Sequence, residues 1–185
     1  MRDMDAMDAM DAMDHTVRDR LNRLLGYDFY SGKSQLRADD LLVRSQASQF
    51  LSAAADRLRD LAAEWRHRHV PPSTREHPFP PPEALAPMEE AGRRRRELED
   101  ASARIRGLSV PNQDWVWERL RQETDTLDLL LQFDWLLVTQ SESVSKRVAV
   151  LSADQLDQVD WSAVDAALRA VLATAEDRQR HLAKA

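Results

Sequence analysis

The sequence predicts an all-α protein: a helical bundle of four main helices plus a short N-terminal helix, with a proline-rich crossover linker. Three observations lead to this class. Apolar residues recur every three or four positions over long segments. Glycine, which weakens helices, occurs only four times in 185 residues. Seven of the eight prolines lie between residues 71 and 87, so they divide the chain once and leave the remaining segments free to form helices.

The N-terminal residues 1–15, MRDMDAMDAMDAMDH, form a Met-Asp-Ala repeat with five Asp and one Arg. The repeat has no apolar face to bury, and we expect it to be disordered. It holds most of the net charge of −6, so residues 16–185, which we expect to form a single helical-bundle domain, are nearly neutral. The repeat also lacks the basic and apolar regions of a signal peptide.

The first predicted helices precede the prolines. A capping pattern beginning at Thr16 predicts a short helix over residues 16–25. A long amphipathic helix is predicted over 34–69, where Asp40 is the one polar residue in an otherwise apolar stripe. The segment VPPSTREHPFPPP, residues 70–82, then favours extended polyproline II structure. At roughly 3 Å per residue such a linker can run back along a helix, which predicts a crossover.

Three further helices follow the linker. The first extends from residue 83 to about residue 108, where Gly107 and Pro111 close it. The next begins near Asn112 and nothing in the sequence interrupts it before about residue 149. The last begins at Asp160 or Ser162 and carries an apolar face made of Trp161, Val164, Leu168, Val171, Ala175 and Leu182.

The segment TLDLLLQFDWLLV, residues 126–138, is the most apolar part of the chain, with nine apolar residues in thirteen. At helical spacing these residues form two stripes, one of Leu127, Leu131, Trp135 and Val138 and one of Leu129, Phe133 and Leu136. A helix that is apolar on more than one side is central in a bundle or faces a second subunit. Leu129, Phe133 and Leu136 are therefore candidate interface residues.

Two carboxylates, Asp128 and Asp134, lie inside this apolar segment. A buried carboxylate needs a partner or a changed protonation state. The sequence leaves two interpretations open. Either an arginine from another helix pairs with these residues, or they line a pocket in which a small molecule is bound or converted.

Aromatic residues outside the apolar stripes supply further interface candidates. Tyr27, Phe29 and Tyr30 are three aromatics in four residues of a predicted loop, and Trp117 is one of two tryptophans that point to different sides of their helix. The three loop aromatics either plug the open end of the bundle or form a docking surface for a partner. Trp117 is either a core or interface anchor or part of a hot-spot surface for a partner.

The run Arg93–Arg96 is the strongest basic feature and suggests nucleic-acid binding as a weaker alternative. However, the helix from 83 to 108 contains six Arg and six acidic residues, so its net charge is zero. Specific nucleic-acid readers usually carry a clear basic excess. The pattern therefore favours an ion-paired helix surface.

Cofactor sites are not supported by the motifs. Gly32-Lys33-Ser34 resembles the end of a phosphate-binding loop, but five residues separate Gly26 from Gly32 where the motif requires four. His67 and His69 are two residues apart and do not share a helix face, which disfavours a metal site there. We therefore expect no cofactor and no metal.

These features favour a non-catalytic interaction protein, an adaptor, scaffold or regulator, that associates with itself as a dimer or binds another protein. No cysteine is present, which is typical of the reducing cytoplasm. No apolar run reaches the length of about 18–20 residues that a membrane-spanning helix requires. The competing hypothesis is a ligand-binding or catalytic bundle built around Asp128 and Asp134.

Overall fold

The computed structural model describes residues 19–21, 23, 36–109 and 124–184. Within these ranges the regular secondary structure is helical and contains no strand, which confirms the predicted all-α class. The elements are α1 (Leu36–His69), α2 (Pro82–Arg106), α3 (Thr124–Ala149), a short 3₁₀ helix (Ala153–Gln158) and α4 (Ser162–Lys184). Among them, no helix combines the length and the apolar character needed to cross a membrane.

The first two helices, α1 and α2, are antiparallel neighbours. Near the end of α1, Trp65 Nε1 donates a 2.8 Å hydrogen bond to the carbonyl oxygen of Ala84, near the start of α2. At the opposite end, Arg44 Nη1 donates over 2.8 Å to the carbonyl oxygen of Arg106, the last residue of α2. The linker, residues 70–81, therefore turns the chain back at one end of this pair. The predicted crossover is not confirmed, because α1 and α2 bury their apolar faces directly against each other.

The α1–α2 contact is close because small side chains lie on both helices. Ser52 Oγ and Ser102 Oγ lie 2.9 Å apart, and Ser102 Oγ also donates to the carbonyl oxygen of Ser48 over 3.0 Å. Buried alanines on the same faces allow the two helices to approach this closely. The buried serine hydroxyls can therefore form hydrogen bonds across the contact. The central core adds apolar residues from all four helices, among them Leu51, Leu58, Leu61, Leu98, Ile105, Leu137, Val138, Val144, Val148, Val164, Val171 and Ala175.

Helices α3 and α4 form a second antiparallel pair. Thr174 Oγ1 donates to Gln140 Oε1 over 2.9 Å, and one turn from the end of α4 the ring of His181 lies 2.9 Å from the carbonyl oxygen of Thr126. The α4 helix begins where Asp160 accepts a 2.9 Å hydrogen bond from the backbone N–H of Ser162. This cap satisfies one of the free donors at the helix start.

Candidate functional site

A buried charge network, made of Asp40, Arg44, Asp134 and Arg178, connects α1, α3 and α4. Arg178 lies at its centre: Nη2 is 2.7 Å from Asp40 Oδ1, and Nε donates to Asp134 Oδ1 over 2.5 Å. Arg178 is 1% exposed, and both aspartates are completely buried. Each guanidinium group of the network contacts a carboxylate, which is the condition under which charges are tolerated inside a core.

The network extends to α2 through Arg44. This residue bonds to Asp40 Oδ2 from Nε over 2.9 Å, and its Nη1 donates to the carbonyl oxygens of Arg106 and Leu108 over 2.8 and 3.1 Å. Carbonyl groups at the end of a helix have no partner within that helix and carry its negative dipole end. Arg44 therefore caps α2 with a positive charge while it bonds to Asp40, and the chain of contacts reaches all four helices.

The pairing of Arg178 with these aspartates was not predicted from the sequence, although a signal is present. Asp40 precedes Val43 by three residues in the α1 stripe. Asp134 lies three residues after Leu131, and Arg178 three residues after Ala175, each on a buried stripe. Three helices therefore carry a charged residue at a position where helical periodicity calls for an apolar one. Opposite charges at such positions indicate a buried ion pair.

The two aspartates predicted as a polar site lie on different sides of α3. Asp134 is buried and bonds to Arg178, whereas Asp128 is half-buried. They are six residues apart, which separates them by about 9 Å along the axis and by roughly a third of a turn around it. A reaction at Asp134 would first require Arg178 to leave it, so the arrangement fits the ion-pair interpretation better than the pocket interpretation.

The second apolar stripe of α3, made of Leu129, Phe133 and Leu136 and here called the α3 stripe, faces outward. Leu129 is 39% exposed and Leu136 is 41% exposed. Phe133 is half-buried, and its ring lies against that of His181 with the two centroids 5.8 Å apart. The first stripe of the same helix is turned inward, with Leu131 and Val138 completely buried. Helix α3 therefore contributes to the core on one side and presents apolar surface on another.

The arginine run on α2 lies in an ion-paired surface. Arg93 Nε donates to Glu90 over 3.0 Å, and Arg95 Nη1 to Glu99 over 2.7 Å. Arg94 Nη1 lies 2.6 Å from Asp165 of α4. The hydrogen bond from Arg93 lowers the pKa of Glu90, which keeps this carboxylate charged. Carboxylates thus neutralise the charge of most of the arginines in the run Arg93–Arg96, as expected for a solvated helix surface.

An open groove of about 430 Å³ lies between α2 and α4. Its floor is apolar and includes Ala101, Leu168 and Leu172. Three arginines and three acidic residues line the sides: Arg94, Arg104, Arg169, Glu97, Asp100 and Asp165. Since these charges balance, the groove offers little net field to attract a charged ligand.

Several sequence-based predictions concern residues that the structure does not describe: the tail 1–15, the short helix 16–25 in most of its length, Tyr27, Phe29, Tyr30 and Trp117. Among the residues that it does describe, no group of three or more His, Asp or Glu side chains is placed to hold a metal ion.

Comparison of the chain with models of protein families, with curated proteins and with solved structures found no match. A function for this helical chain is therefore inferred from its own residues, and two features carry the inference: the buried charge network, which fixes the helices, and the α3 stripe, which faces outward.

Proposed function

We propose that the chain is a non-catalytic helical interaction module, a cytoplasmic adaptor, scaffold or regulator that associates with itself through the α3 stripe. The observation that carries this proposal is the exposure of Leu129 and Leu136, at 39% and 41%, two turns apart on one face of α3. Phe133 lies between them on the same face and is half-buried. Residues at positions i, i+4 and i+7 of a helix form a continuous stripe.

Exposed apolar residues that are aligned on one face of a helix are stronger evidence for an interface than scattered ones. Single exposed leucines are common on protein surfaces and need no explanation. A stripe on a helix whose opposite side is already in the core is typical of a helix that packs against a further element. Burial of apolar surface is worth about 25 cal/mol per Å², so pairing the stripe with another apolar face would stabilise the complex.

A second copy of the chain is a suitable partner for this face. Gln132 lies between Leu129 and Leu136, three residues after the first and four before the second, and it is exposed and uncharged. When two copies of the stripe meet across a twofold axis, this position therefore sets no like charges against each other. A twofold pair of α3 helices would bury both stripes at once.

Light scattering coupled to size exclusion on the full chain tests this proposal. We expect a particle of twice the chain mass of 21.2 kDa. Leu129→Glu combined with Leu136→Glu is expected to give a monomer with unchanged helical circular dichroism. Val150→Glu is the matched control, since Val150 is 82% exposed and lies just beyond the end of α3. A monomeric native chain, or a dimer that survives the double substitution, would refute self-association through this stripe.

A further inference from the structure

The linker between α1 and α2, residues 70–81, is fixed to the bundle at both ends. At its start, the backbone N–H of Val70 donates to the carbonyl oxygen of Arg66 over 3.2 Å. The Val70 side chain packs on a small apolar cluster around Trp65. Just beyond its end, Trp65 Nε1 donates over 2.8 Å to the carbonyl oxygen of Ala84. One tryptophan thus contacts both ends of the linker.

The segment between these anchors is displayed to solvent. Every residue from 71 to 79 is exposed, and Phe79 reaches 84%. Pro81 has φ −62° and ψ 139°, which are the dihedral angles of a polyproline II helix. Pro81, the last residue of the segment, therefore already has the backbone conformation that extended proline-rich ligands adopt when bound.

The spacing of residues in this segment suits one mode of recognition. A polyproline II helix has three residues per turn, so residues three apart share an edge. If the whole segment were a polyproline II helix, Arg75, Pro78 and Pro81 would share one such edge. Domains that bind proline-rich segments receive two prolines at this spacing in a groove lined by aromatic side chains. An arginine one turn before the prolines would lie at the end of that groove, where an acidic side chain could pair with it.

We propose that residues 75–81 bind as a polyproline II helix in the aromatic-lined groove of an SH3-type domain. Pro78 and Pro81 occupy the groove, and Arg75 pairs with an acidic residue at its end. This surface is distinct from the α3 stripe, so the proposal stands independently of self-association. The rigid prolines lower the conformational entropy lost on binding, which compensates for the small size of the contact.

A local turn opposes this binding mode and supplies a specific test. The backbone N–H of Thr74 donates to the carbonyl oxygen of His77 over 3.0 Å, and the N–H of His77 donates to Thr74 Oγ1 over 3.0 Å. The chain must leave this turn before Arg75 and Pro78 can lie on one straight edge. Thr74→Val removes the hydroxyl acceptor and keeps the side-chain shape. It is therefore expected to tighten binding about two- to tenfold, the effect of one hydrogen bond.

The experiment is a calorimetric titration of the full chain with each member of a panel of purified SH3 domains that have acidic residues at the end of the groove. We expect at least one domain to bind with a dissociation constant on the order of 10–100 µM. Pro78→Ala combined with Pro81→Ala is expected to weaken binding at least tenfold. Pro71→Ala combined with Pro72→Ala is the matched control, because these exposed prolines lie in the same linker outside the proposed edge. Circular dichroism verifies that each variant keeps its helices.

Arg75→Ala is expected to weaken binding to the same domain, with a difference that shrinks as salt rises, since an exposed charge pair is screened. The proposal is overturned if no domain of the panel binds at about 1 mM, or if the Pro78 and Pro81 substitutions leave the affinity unchanged. Binding that is lost in Phe79→Ala but kept in Pro78→Ala would also overturn it. The contact would then be made by the edge of the polyproline II helix that carries Phe79 and not by the edge that carries Pro78 and Pro81.

Discussion

Removal of Arg178 tests whether the buried charge network stabilises the bundle. Arg178→Met keeps an unbranched side chain in the core and removes the guanidinium that bonds to Asp40 and Asp134. All three side chains are at most 1% exposed. Loss of one partner from a buried pair costs about 3–5 kcal/mol, because the remaining charge loses a compensating contact in the core. Asp40 keeps its bond to Arg44, whereas Asp134 loses the guanidinium group that contacts its Oδ1.

Thermal and urea denaturation at neutral pH, both monitored by circular dichroism, measure the effect on the thermal midpoint and on the free energy of unfolding. At about 2–4 °C per kcal/mol for a domain of this size, the thermal midpoint should fall by about 6–20 °C. Arg180→Met is the control on the same helix, because Arg180 is exposed and pairs with Asp177 at the surface. Such a pair contributes about 0–1 kcal/mol. The reasoning is refuted if Arg178→Met costs no more than Arg180→Met.

Two related variants separate charge from geometry in the same assay. Arg178→Lys keeps the positive charge but replaces a planar fork, which serves two carboxylates, with a single ammonium group. An intermediate loss is expected. Addition of Asp134→Leu to Arg178→Met removes the carboxylate that lost its arginine and should recover most of the lost free energy of unfolding. Failure of that recovery would mean that the cost comes from packing alone.

Two further predictions concern the start of α4 and the anchor of the linker. The hydrogen bond from the Ser162 backbone lowers the pKa of Asp160. Its stabilising effect is therefore complete above the unfolded-state pKa of about 3.9 and is lost as the pH falls through the lower folded-state pKa. Asp160→Asn keeps a hydrogen-bond acceptor but does not titrate. In urea denaturation, the free energy of unfolding of this variant should therefore fall less at acid pH than that of the native chain. An identical pH dependence of the two proteins would contradict this. Trp65→Phe removes the donor to Ala84 and should lower the free energy of unfolding by about 0.5–1.5 kcal/mol. It should also speed amide hydrogen exchange in the first turn of α2. Unchanged exchange would show that this hydrogen bond does not hold the linker.

Local regularities of the sequence were sufficient to predict the class of the fold and the break between the first two long helices. Clustered prolines predicted the break after residue 69, and the structure ends α1 at His69 and begins α2 at Pro82. Helical periodicity also separated the two stripes of α3, of which Leu131 and Val138 are buried while Leu129 and Leu136 are exposed. These features depend on residues close in sequence, so the pattern itself contains them.

The direction of the linker and the partner of Asp134 could not be predicted in the same way. A linker of about 12 residues permits either direction for the next helix, and the choice is made by how the apolar faces of α1 and α2 pack. Arg178 is 44 residues from Asp134, and many other arginines were available as partners. Such pairings depend on which helices are neighbours in space, which one sequence does not specify.

The buried charge network also constrains how this chain can change over generations. Replacement of one of its four residues alone would remove a charge that compensates another in the core, so each single step toward an apolar core passes through a less stable protein. A descendant that exchanged all four for well-packed apolar residues would be about as stable as the present chain. Lineages are therefore expected to inherit the four positions together or to replace them together. Divergence should be concentrated instead in the exposed faces of α1 and α2.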